Sequence, residues 1–155
     1  MGPSSCERFR RQHEELQRLG MEIASKLSRR TIAGEAALVR RLVARFAGKL
    51  VVHASMENEA LYPRLLAHAD PAVREQATAL FDEVRDIYAS FADYAARWPA
   101  AAEIEADPAT FVRETRQLLF RLATRMTREN EELYPMVDAV DAAEAAERAP
   151  RAADR

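Results

Sequence analysis

Six of the seven residues Glu57-Asn58-Glu59-Ala60-Leu61-Tyr62-Pro63 return 72 positions later in Glu129-Asn130-Glu131-Glu132-Leu133-Tyr134-Pro135. A second pair lies 71 apart: Gln12-His13-Glu14-Glu15-Leu16 and Glu83-Val84-Arg85-Asp86-Ile87. Repetition of this kind marks a supersecondary unit that is used twice. The fold must therefore accommodate two equivalent units, with their matching positions facing one another.

The unit reads as a helical hairpin. Phe9, His13, Leu16, Gly20, Ile23 and Leu27 follow the alternating four–three spacing of one helix face. Ser4 with Glu7 forms a capping box just inside Pro3, and a break is expected around Ser28 to Thr31. The second stripe is Leu38, Leu42, Phe46, Leu50, His53, Glu57 and Ala60, with Pro63 kinking or ending the helix. Asp70-Pro71 and Asp107-Pro108 each supply an N-cap and a first-turn proline. Between them run Ala77, Leu80, Val84, Ile87, Phe91, Tyr94 and Trp98, stopped by Pro99 and a loop to Ala106. The fourth stripe is Phe111, Thr115, Leu118, Leu122, Arg125, Glu129 and Leu133. The expectation is an all-α, antiparallel up-down four-helix bundle made of two pseudo-symmetric αα-hairpins over residues 4–140. Residues 141–155 are expected to form a frayed or disordered tail.

Composition excludes several alternatives. At 155 residues the chain fits one domain, and 23 Lys+Arg against 25 Asp+Glu gives no global charge for nucleic acid or an anionic membrane. Four glycines are too few for a turn-rich sandwich, and a single cysteine allows neither an internal disulfide nor a thiolate zinc cluster. There is no apolar run of ~18 residues and no secretory signature. A soluble, cytoplasmic protein with no nucleic-acid or membrane partner is expected; a protein partner is not specified.

Five residues on the core-facing stripes are not ordinary core residues: His13, His53, Glu57, Arg125 and Glu129. Buried charges need partners. His53 and Glu57, one turn apart, share a helix face. Glu129 is the repeat-mate of Glu57, and His13 belongs to the helix paired with the one carrying His53. Two imidazoles and two carboxylates suit Fe(II), Mn(II) or Zn(II). Taken singly, a histidine on an apolar stripe is an ordinary core residue and a His-x-x-x-Glu pair an ordinary surface pair. The duplicated block is what argues for a common site. His68 reads as an exposed helix-end residue, Cys6 as an ordinary thiol, and Arg29-Arg30 and Arg40-Arg41 as solvated faces. Tyr62 and Tyr134 read as closing the bundle end, with lining of the site the lesser reading.

Gln12-His13-Glu14-Glu15-Leu16, then His53-Ala54-Ser55-Met56-Glu57 and Leu61-Tyr62-Pro63, resembles the hemerythrin-like (HHE) family from Ser4 to about Val140. The resemblance implies a non-haem di-iron centre, with each half supplying one His from its first helix and a His-x-x-x-Glu from its second. It implies binding or sensing of oxygen, nitric oxide or iron, or action on peroxide. The first half is complete as His13, His53 and Glu57. In the second half Val84 and Arg125 stand at the histidine positions, and Glu129 alone remains. All three histidines lie at or before residue 68, so no shift of register supplies the missing ligands.

Arg125 is expected to hydrogen-bond both carboxylates and stand in for the second ion, with Val84 as apolar wall. Three readings follow. The first is one iron per chain on His13, His53, Glu57 and Glu129, meeting a small diatomic ligand or peroxide without transporting oxygen. The second is a metal-free bundle acting as a regulatory or protein-interaction module around an Arg–Glu core network. The third is a di-iron protein completed by another chain or by water. No catalytic residue is assigned; a weak oxidase or peroxide-handling activity stays open.

Overall fold

The computed structural model describes residues 6–149. The expected cap at Ser4 and the last six residues of the expected tail lie outside the described residues. Within them every regular element is helical: α1 (Glu7–Ser25), α2 (Arg29–Ala60), α3 (Tyr62–Leu66), α4 (Pro71–Arg97), α5 (Ala101–Ala106) and α6 (Pro108–Arg128). A π-helical turn at Glu129–Leu133 then leads into α7 (Tyr134–Arg148).

The starts are set by local chemistry. Ser28 Oγ accepts the Thr31 amide, Asp70 accepts that of Ala72, and Asp107 accepts that of Thr110. The break between α1 and α2 thus occupies residues 26–28, earlier than expected, because Ser28 caps the following helix. Pro99 does stop α4, but the segment to Ala106 is not all loop. Its Ala-rich sequence forms α5, which buries Ile104 completely against the core. Nor does the last helix fray at Asp141. Arg64 of α3 holds Asp141 at 2.6 Å and Glu144 at 3.5 Å, Arg148 holds Glu144, and α7 continues to Arg148.

Pro63 and Pro135 have one cause and two outcomes. A proline inside a helix lacks an N–H and its ring clashes with the carbonyl four residues back. In the first half the helix breaks at Leu61 (φ −102°, ψ −57°) and restarts as α3. In the second the chain widens into the π turn and stays continuous.

The apolar stripes pack into two separate cores. One contains Leu16, Ile23, Leu42, Phe46, Leu50, Phe91, Phe111, Leu122 and Met126. The other contains Phe9, Leu61, Tyr62, Leu80, Leu133, Tyr134 and Val137. On all four long helical runs the residues between the two cores are those singled out above: His13, then His53 and Glu57, then Val84, then Arg125 and Glu129. The polar layer crosses the helices at one level. Ala60, included in the second stripe, is exposed instead, because the helix ends beside it.

Candidate metal centre

His13, His53, Glu57 and Glu129 are all buried, and each offers one ligand atom within 4.8 Å of the others. Donors on opposite sides of one ion with bonds of ~2.1 Å stand ~4 Å apart, so the cluster is of the right size for a single ion. His13 Nε2 lies 2.9 Å from His53 Nε2 and 3.1 Å from Glu129 Oε2; His53 Nε2 lies 3.5 Å from Glu57 Oε1.

The outer faces of both imidazoles are fixed. His13 Nδ1 meets Asn130 Oδ1 at 2.9 Å, and His53 Nδ1 meets Gln12 Oε1 at 2.9 Å. The amide nitrogen of Gln12 is itself engaged with Met56 Sδ, which turns its oxygen to His53. An amide oxygen only accepts, so each Nδ1 carries the proton. With Nδ1 protonated on both rings, the two Nε2 atoms face each other at 2.9 Å, an arrangement that needs a cation or a proton between them. The edge of Phe9 packs on His53 from the apolar side.

Burial, and then the neighbouring His13, lowers the His53 pKa to about 4. The two carboxylates diverge. Burial, reinforced by the charge of Glu129, holds Glu57 well above the usual carboxylate range. Burial also acts on Glu129, but hydrogen bonding to His13 and the charge of Arg125 outweigh it and lower its pKa. Without a metal, therefore, Glu57 holds a proton more readily than Glu129 does. Glu57 Oε2 is buried with no hydrogen-bond partner among the described residues. A buried carboxylate oxygen without a partner beside two imidazole lone pairs is the donor set a divalent ion completes.

Arg125 is where the sequence placed it, but with different partners. Its Nε donates to Glu129 Oε1 and its Nη2 to the Tyr62 hydroxyl, each at 2.6 Å. No hydrogen bond links it to Glu57; that carboxylate takes the Tyr134 hydroxyl instead, at 2.7 Å. Tyr134 also stands 3.1 Å from His13 Nε2. The two tyrosines thus line the centre rather than merely closing the bundle end, each reaching the half-site of the opposite hairpin. Val84 is buried apolar wall, as expected.

Sequence reasoning did not single out Gln12, Asn130, Tyr88 or Glu83. Tyr88, one turn after Val84, has its pKa raised by burial and by the charges of Glu129 and Glu57. The signals were present: Gln12 precedes a stripe histidine, Asn130 follows a stripe glutamate, and Tyr88 continues the Val84 face. His68 is half-buried rather than exposed, and its Nδ1 accepts the Asp70 amide. Arg40 is also half-buried and donates to the Pro99 carbonyl. Cys6 is buried in the core with Phe9 and Tyr134.

No helix is long and apolar enough to cross a membrane among the described residues. Comparison with curated proteins gives no match, and neither does comparison with solved structures. The family model for the hemerythrin HHE cation-binding domain matches residues 5–137. That match covers nearly the whole chain, including both hairpins and the buried His–Glu cluster, and the chain belongs to the hemerythrin HHE cation-binding family.

Proposed function

We propose that this chain is a hemerythrin-like protein that holds a single non-haem iron on His13, His53, Glu57 and Glu129. It uses that site to bind or sense iron, oxygen, nitric oxide or peroxide in the cytoplasm, and does not transport oxygen. In this reading α1, α2, α4 and the α6–α7 run form an up-down bundle of two antiparallel hairpins. The observation that carries it is the pair of Nε2 atoms 2.9 Å apart, each with its Nδ1 tied to an amide oxygen. Bound iron would supply a Lewis-acidic, redox-active centre with positions left for a small ligand. Arg125 fills the second position with one fixed positive charge and satisfies Glu129 without an ion.

The chain's own residues do the rest. Gln12 and Asn130 orient the imidazoles. Phe9 and the two apolar cores exclude water. Tyr134 directs its O–H at Glu57 Oε1. A two-electron exchange shared between two irons has no second iron to draw on, which is the ground for setting oxygen transport aside.

The metal-free alternative, a regulatory or protein-interaction bundle, has one observation in its favour. Arg125, Glu129, His13 and Tyr134 form a connected network that a proton at the histidine pair completes. Elemental analysis of untagged protein loaded anaerobically with Fe(II) separates the two. About one iron per chain, lost in His53→Ala, is the expected result. Iron-free wild-type protein would overturn the proposal in favour of the alternative, and two irons per chain would favour a di-iron centre.

A further inference from the structure

A cleft of about 320 Å³ opens between α4 and α6. Its lining includes Glu83 and Asp86 from α4, and Arg121, Thr124, Arg125 and Arg128 from α6. The three arginines keep the four–three spacing of one helix face, so α6 turns three guanidinium groups toward a single opening. Of these residues Arg125 alone also bonds a member of the histidine cluster, Glu129.

Arg125 forms the floor of the cleft and is only 5% exposed. Two of its nitrogens are committed to Glu129 and Tyr62. The third, Nη1, is buried and has no hydrogen-bond partner among the described residues. The nearest acid is Glu83, whose Oε2 stands 3.5 Å away as an ion pair. That same oxygen rests on Nη1 of Arg128. Arg128 holds Glu132 through Nε and Nη2, both at 3.0 Å, which leaves its Nη1 for the cleft. Two Nη1 atoms therefore converge on one carboxylate oxygen, supplied by a half-exposed side chain from the neighbouring helix.

We infer that this cleft is a binding site for a small monovalent oxyanion of the carboxylate type, which displaces Glu83 and takes the hydrogen bond that Arg125 Nη1 lacks. Glu83 shows that the position accepts a carboxylate oxygen but gives only one oxygen to two donors. A free planar oxyanion can give one oxygen to each guanidinium, a stronger arrangement than a shared atom. Arg121 stands at the rim as a further donor, while the Thr124 hydroxyl is already given to the Phe120 carbonyl. Asp86 on the same rim disfavours a dianion. The site needs no metal and is a property of the metal-free bundle as well.

The test is an NMR titration of the metal-free full chain with sodium formate, reading the arginine Nε–Hε signals and the amides of residues 83 and 121–128. Saturable shifts at Arg125 and Arg128 are expected. Binding should tighten about fivefold in Glu83→Gln, where the internal competitor has lost its charge. It should weaken at least about fivefold in Arg128→Gln, a half-exposed position that leaves the buried Arg125 contacts intact. No saturable shift in Glu83→Gln would overturn the inference. So would unchanged formate affinity in Arg128→Gln. Tighter binding of inorganic phosphate than of formate at pH 7.5 would overturn the assigned class.

Discussion

The two hairpins began as the same unit, and their buried ends now differ in kind. In the first, His53 and Glu57 present a base and a carboxyl pushed toward its neutral form, and Glu57 Oε2 is left without a partner among the described residues. In the second, Arg125 and Glu129 present a cation and an anion already joined at 2.6 Å. One half invites an ion and the other has internalised one. A guanidinium delivers a fixed single charge through directed N–H bonds and exchanges with nothing. A metal delivers two charges, open positions and dependence on supply. Under the proposed function, the difference between the halves is between a site that depends on an outside ion and a site settled by the chain itself.

The most severe way to break that contrast is to restore the lost ligands. In Val84→His/Arg125→His the second half regains both imidazoles, and iron content should rise from one to two per chain by elemental analysis. An unchanged content would mean that the second half is closed by more than its missing ligands.

Protonation gives the next largest effect. The folded pKa of His53 lies near 4, below its ordinary 6.5, so the unfolded chain binds the extra proton between those values. Its stabilising contribution is complete above pH 6.5 and is lost as pH falls toward 4, a change of about 3 kcal/mol. Glu57 runs the other way. Its folded pKa is raised above 4.5, so its contribution is complete below 4.5 and is lost as pH rises through the folded value. In metal-free wild type the two slopes oppose each other as pH rises above about 4.5. Glu57→Gln removes one of them and keeps the burial that is the first cause of the His53 shift. Denaturant midpoints should then fall steeply with acid in Glu57→Gln and only weakly in wild type.

A smaller effect tests the outer supports. Gln12→Ala frees His53 Nδ1 and should weaken metal binding by about tenfold in a competitive chelator titration, with the fold intact. The smallest effect lies on the surface that ties the halves together. Arg64→Ala removes the pairs to Asp141 and Glu144, and its cost should stay below about 1 kcal/mol by thermal unfolding.

Much of the fold was legible because helical spacing is local and repeated. Every residue of the fourth stripe, Phe111 through Leu133, is buried as its spacing demands. The four clustered side chains were legible for a related reason: a charged residue on an apolar stripe has few places to go. What the sequence hid depends on backbone detail. Asn58 and Asn130 occupy the same place in the repeat, yet Asn58 is exposed while Asn130 holds His13. Asn130 lies in a π turn and Asn58 in a regular helix, and both segments precede the same Leu-Tyr-Pro. Likewise, the stripes put Arg125 in the layer but not the choice of Tyr62 over Glu57 as its second partner. That choice depends on side-chain reach across the bundle, which spacing along one helix does not encode.

The polar layer between the two apolar cores also acts as a vernier. Sliding α1, α2 or the α6–α7 run by a single turn, ~5.4 Å, would carry a histidine, glutamate or arginine into hydrocarbon and set an apolar side chain against the stranded partners. Because the two halves carry different chemistry at that level, the layer also tells one hairpin from the other. Two second hairpins brought together would set Arg125 against Arg125 with no imidazole for either Glu129. The loss of symmetry at the centre thus gives a duplicated chain a means of choosing which half its own half should embrace.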